Sequence, residues 1–125
     1  MIRTQKRFPL LDEGIYVLTL NRKPKSETRS GYDFWVFDFD AEDEYGMTRP
    51  YRAFFFPSDD MLKEVLLAFG GWMDDEGEVE VDEEKILGES LKAEIKHEMI
   101  KGKKRAKISK VYRKKEESDE EEPPF

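Results

Sequence analysis

Tyr32-Asp33-Phe34-Trp35-Val36-Phe37-Asp38-Phe39 packs five aromatic residues and a valine into eight positions, and its reading decides the fold class. Aromatic and β-branched residues suit the pleated, half-buried surface of a strand. With side chains alternating between faces, Trp35, Phe37 and Phe39 share one side, and Phe34, Val36 and Asp38 share the other. One side must fill a core. The other then displays rings beside a carboxylate, and Tyr32 extends that side.

Reading upstream, Gly14 opens a first strand, Ile15 to Leu20, and Asn21 to Gly31 has loop composition with four cations against one acid. Downstream, Asp40 to Met47 reads as an acidic turn in which Gly46 takes a positive φ. Tyr51 to Phe56 forms a third strand, ended by Pro57. Ser58 is placed to cap a helix whose Leu62, Val65, Leu66 and Phe69 recur at helical spacing, and Gly70-Gly71 ends it. Trp72 and the acidic stretch after it read as irregular. Leu91, Ala93, Ile95 and His97 alternate with charged residues as a fourth strand; a tight turn around Gly102 leads to a fifth, Arg105 to Tyr112.

Three strands, one helix and two strands is the element order of the five-stranded oligonucleotide-binding barrel (OB-fold). Its ligand face is strands 2–3 with the loops joining strands 1–2 and 4–5. The expectation is a mainly β protein: residues 1–115 as an OB-fold barrel with one helix between strands 3 and 4, and 116–125 as a disordered acidic tail. Cations gather in the two ligand-side loops, Arg22, Lys23, Lys25 and Arg29 in the first, and Lys101, Lys103, Lys104 and Arg105 in the second. Single-strand binders need cations that track phosphates and aromatic faces on which bases stack. The candidate stacking residues are Tyr32, Phe34, Trp35, Phe54 and Trp72. Those eight loop cations and Arg52 are the candidate phosphate ligands.

Composition narrows the classes. The net charge of −7 conceals segregation: residues 116–122 hold six of the 29 acids, and residues 74–84 hold eight more. The remainder is basic, which points to a polyanionic partner. With no cysteine and a single histidine, His97, thiol nucleophiles and multi-histidine metal sites are out of reach. Asp38 to Glu44 resembles a calcium loop superficially, but it lacks the sixth-position glycine. The chain is read as a non-enzyme without metal or cofactor. No apolar run approaches membrane-spanning length.

Residues 116–125 read Glu-Glu-Ser-Asp-Glu-Glu-Glu-Pro-Pro-Phe. This resembles the C-terminal tip of bacterial and phage single-stranded DNA-binding proteins, an acidic run closed by Pro-Phe. The resemblance implies sequence-nonspecific binding and protection of single-stranded DNA in replication, recombination and repair, in a bacterial cytoplasm and with a phage-encoded origin in view. It also implies recruitment of replication and repair proteins through Asp119, Glu120, Glu121, Glu122, Pro124 and Phe125. Pro123 stands where that family has an aliphatic residue, and the long linker before the tip is missing. Two rival readings are an RNA-binding barrel and a phage structural or assembly protein that uses the barrel for protein contacts. Exposed strand edges would also allow a homo-oligomer.

Overall fold

A computed structural model describes residues 10–112. β1 (Gly14–Leu20), β2 (Lys25–Arg29), β3 (Tyr32–Glu42) and β4 (Thr48–Phe55) form in succession. Next come α1 (Asp60–Ala68), the short pair β5 (Trp72–Met73) and β6 (Val79–Glu80), and α2 (Glu83–Ile86). β7 (Ser90–Ile100) and β8 (Lys103–Tyr112) follow. The protein is mainly β, with one antiparallel sheet ordered β2-β3-β1-β7-β8 and with β4 on β3.

β4 pairs with β3 from Trp35 to Glu42, so β1 and β2 share the opposite edge of β3. The expected basic loop is therefore partly a strand. Lys25 to Arg29 pair with Tyr32 to Val36 through a two-residue turn, Ser30-Gly31, with φ of 51° and 81°. Lys101-Gly102 repeats that geometry between β7 and β8, with φ of 50° and 77°. Turns with both central residues at positive φ match the twist of the strands they join.

The alternation within β3 holds. Phe37, Phe39 and Ala41 are buried with Leu18, Leu20, Tyr51, Ala53, Phe55 and Ile95. Inside, Phe39 stacks between Tyr51 and Phe69, each centroid 6.3 Å away, and Phe37 meets Phe55 edge-on at 5.4 Å. Leu62 and Val65 of α1 are buried against this cluster, with Leu66 and Phe69 packed beside them. Asp59, not Ser58, caps α1, accepting from the Met61 N–H at 2.9 Å. Either residue can cap; placement one residue later leaves Asp60 inside the first turn. The helix ends with Gly70 N–H on the Leu67 carbonyl and Gly71 N–H on that of Leu66.

Two further expectations are corrected. The acidic stretch is ordered: Asp74 accepts from the N–H groups of Glu76 and Glu78, closing a β5–β6 hairpin as Asp43 does with Tyr45 and Met47 between β3 and β4. The sheet also does not close into a barrel. No ladder joins β4 to β8. These outer strands meet through a side chain, the Tyr51 hydroxyl donating to the Ala106 carbonyl at 3.3 Å.

Candidate nucleic-acid interface

Pairing registers define what the outer face of β2, β3 and β4 presents. Glu27 lies opposite Phe34, Lys25 opposite Val36, Phe54 opposite Val36, and Arg52 opposite Asp38. Tyr32, Phe34 and Phe54 therefore share one outward face. Tyr32 is 68% exposed and Phe54 50%, whereas Val36 between the rings is buried. Phe34 and Phe54 meet edge to face at 5.9 Å. The Arg29 guanidinium sits 5.6 Å from the centre of the Phe34 ring, within cation–π range. Phe56, of the same parity just past the end of β4, is also exposed and extends the aromatic run. Sequence reasoning favours Phe54 and passes over Phe56, although the same alternation contains both.

The other two stacking candidates lie elsewhere. Trp35 has the opposite parity, is half-buried and packs against the core. With Pro24, Phe37, Pro57 and Leu62 it lines a cleft of about 380 Å³ beneath α1. Trp72 is exposed, on the β5–β6 hairpin opposite Glu80. Neither belongs to the face of Phe34.

The phosphate candidates are likewise divided. Lys25 and Arg29 extend from β2 beside the rings, although Arg29 also contacts Glu27 at 3.4 Å. Arg52 makes two hydrogen bonds to Asp38, at 2.6 and 3.2 Å, which hold its pKa above the ordinary arginine value. Arg22 is exposed in the break between β1 and β2, and its neighbour Lys23 turns to Glu84 at 3.4 Å, toward the acidic α2. Lys101, Lys103, Lys104 and Arg105 are exposed at and after the β7–β8 turn.

That turn does not flank the rings along the strands. β3 and β7 both run antiparallel to β1, on its two edges. The β2–β3 hairpin turns beyond the Leu20 end of β1. β7 begins at that end, opposite Thr19, passes Gly14 at Ile95 and turns five residues further on. Antiparallel register thus sends the two basic turns to opposite ends of the sheet, which corrects the expectation that they frame one face together.

The sequence matches no family model and no curated protein. Among the described residues, no cluster of histidine and carboxylates is arranged to hold a metal ion, and no helix is long and apolar enough to cross a membrane. His97 is a fixed strand residue: its Nε2 lies 2.7 Å from the Leu11 carbonyl, and its backbone N–H donates to Glu13. That second bond holds the Glu13 carboxyl below its usual range. Together these contacts tie the segment before β1 to β7 and bring Leu11 into the core. Asp119 to Glu122, Pro124 and Phe125 lie outside the described residues.

Proposed function

We propose that the chain binds single-stranded DNA without sequence preference, as an oligonucleotide-binding fold left open between β4 and β8. The observation that carries this reading is the outward face bearing Tyr32, Phe34 and Phe54, with Arg29 against one ring. Unpaired bases stack on such rings with little sequence preference, each contributing about 1–3 kcal/mol. The fold reading draws support from five main strands arranged with β1 between β3 and β7, and from a helix inserted between β4 and β7. Partly open barrels of this kind bind oligonucleotides on their second and third strands, here β3 and β4. The same proposal gives the acidic segment ending in Pro124-Phe125 the role of recruiting replication and repair proteins.

Phe54→Ala tests the reading cleanly, because half of that ring already lies in water. Its affinity for fluorescein-labelled oligo-dT should fall about 5- to 150-fold, the equivalent of one stacked base, with the fold retained and the melting temperature lowered only by the loss of the Phe34 contact. Tighter binding of oligo-U than oligo-dT at matched salt would reassign the protein to RNA. Absence of binding to oligo-dT, oligo-U and duplex alike would overturn nucleic-acid binding and favour a sheet that docks a protein partner.

A further inference from the structure

The aromatic face cannot hold a polyanion by charge. Lys25, Arg29 and Arg52 point outward there, and so do Glu27, Asp38, Asp40 and Glu42. Phosphates laid along this face would meet at least as many carboxylates as cations. Non-specific binding to nucleic acid nevertheless draws its affinity from cations that neutralise phosphates. The cations must come from another part of the surface.

β7 and β8 supply them. Their pairing sets Lys92, Lys96, Lys103, Arg105, Lys107 and Lys110 on the outward face, with only Glu94 and Glu98 among them. Glu94 is engaged by Ser109 at 2.8 Å and by Lys96 at 3.9 Å. Ile95, Ile108 and Val111 take the inward positions and are buried, which fixes the lysines outside. A bulge after Glu94 lets β8 pass Ser109 and still present Lys110 opposite Glu94. Along Arg105 and Lys107, charges recur at every second residue, about 6.6 Å apart on an extended strand. A line of charge suits a linear polyanion.

The seam between β4 and β8 relates this row to the rings. Tyr51 reaches from β4 to the carbonyl of Ala106. Arg52 follows Tyr51 and points outward; Arg105 and Lys107 flank Ala106 and point outward as well. The basic residues beside Ala106 therefore lie across the seam from Arg52, on the strand that carries Phe54. We infer that a single strand of nucleic acid lies along this seam, its bases on the β3–β4 rings and its phosphates on Arg105, Lys107 and Lys110 of β8.

This division of labour rests on the single-strand reading above and separates two measurable quantities. Stacking sets the salt-independent part of the affinity, and the β8 row sets the salt slope. In the full chain, Lys107→Gln/Lys110→Gln should lower the slope of log K against log salt for oligo-dT by about 1.4, that is 0.7 for each lost phosphate contact. Lys63→Gln/Lys85→Gln makes the same change in net charge on α1 and α2, outside the β8 row, and should leave the slope unaltered. Phe54→Ala should weaken binding at every salt concentration with the slope intact. An equal slope change from both lysine pairs would overturn the inference, since only overall charge would matter. So would a wild-type slope in Lys107→Gln/Lys110→Gln while oligo-dT still binds, and that outcome leaves the stacking face standing. Competition by poly-Glu as effective as by oligo-dT, charge for charge, would give the row to an acidic protein segment instead. Failure of the wild type to bind oligo-dT at any salt would remove both this inference and the reading beneath it.

Discussion

Tyr51→Phe should cost stability at neutral pH and confer it in alkali. Tyr51 is 5% exposed, its ring stacks on Phe39, and its hydroxyl donates to the Ala106 carbonyl. Phenylalanine keeps the ring and loses the bond joining β4 to β8. A hydrogen bond of this kind contributes about 0.5–1.5 kcal/mol net, so the variant should be less stable by about 1 kcal/mol at pH 8. Burial, reinforced by the charge of Glu98, pushes the phenol well above its ordinary value of 10.0. A group whose pKa is raised by folding contributes stability in full below its unfolded pKa. That contribution is lost as pH rises, here because only the unfolded phenol ionises. At pH 11 the unfolded state of the wild type gains RT ln(1 + 10), about 1.4 kcal/mol, from this one group. The variant, which has no phenol at this position, is exempt. The two proteins should therefore be equally stable at pH ~10.6, with the variant ahead by roughly 0.4 kcal/mol at pH 11. Urea unfolding of both proteins at pH 8, 10 and 11 measures this, and the other tyrosines and lysines cancel in the difference. A stability gap that stays constant from pH 8 to 11 would refute the reasoning, because it would mean that Tyr51 titrates as an exposed phenol.

Two further expectations follow from the ends of α1. A Cβ on Gly71 would lie 2.7 Å from the Glu80 carbonyl oxygen and 2.8 Å from that of Leu66, both backbone atoms. Gly71→Ala should therefore destabilise by about 1–3 kcal/mol, as overpacking does, and should raise amide exchange in β5 and β6. Protection unchanged at Trp72 to Glu80 would show that the hairpin is not pinned there. Asp59→Ala removes the acceptor of the Met61 N–H and should cost about 1 kcal/mol in thermal unfolding. Ser58→Ala should cost almost nothing, and the reverse ranking would return the cap to Ser58.

Strand faces are legible because a two-residue period needs only local reading. Phe37 and Phe39 inside, with Phe34 and Phe54 outside, follow from alternation and from one decision about which side is core. Choosing Trp35 as a stacking residue goes against that alternation, and the pleat prevails. Lys25 to Arg29 escapes notice as a strand because a hairpin with few buried side chains shows no apolar period, and Ser30-Gly31 lacks the usual Asn-Gly signature. The acidic hairpin does carry a signal. Asp74-Asp75-Glu76-Gly77 repeats the Asp-x-x-Gly spacing of Asp43-Glu44-Tyr45-Gly46, and both aspartates close their turns with the same hydrogen bonds.

Neither barrel closure nor the direction of the basic turns is legible, because both depend on which strands pair and not on what each contains. β1 serves two partners, β3 on one edge and β7 on the other. That sharing sends the hairpins to opposite ends, whatever charge they carry. It also leaves β4 and β8 as outer strands linked by Tyr51. On the proposed reading, the cations that act lie along the strand that follows the turn and not in the turn itself. In sequence, Lys107 and Lys110 look like ordinary strand charges, yet they face outward along β8, the strand that Tyr51 reaches, whereas Lys101 sits in a turn at its start. Charge acts where pairing carries it, so a basic loop located by sequence is evidence for a polyanion and weak evidence for its path.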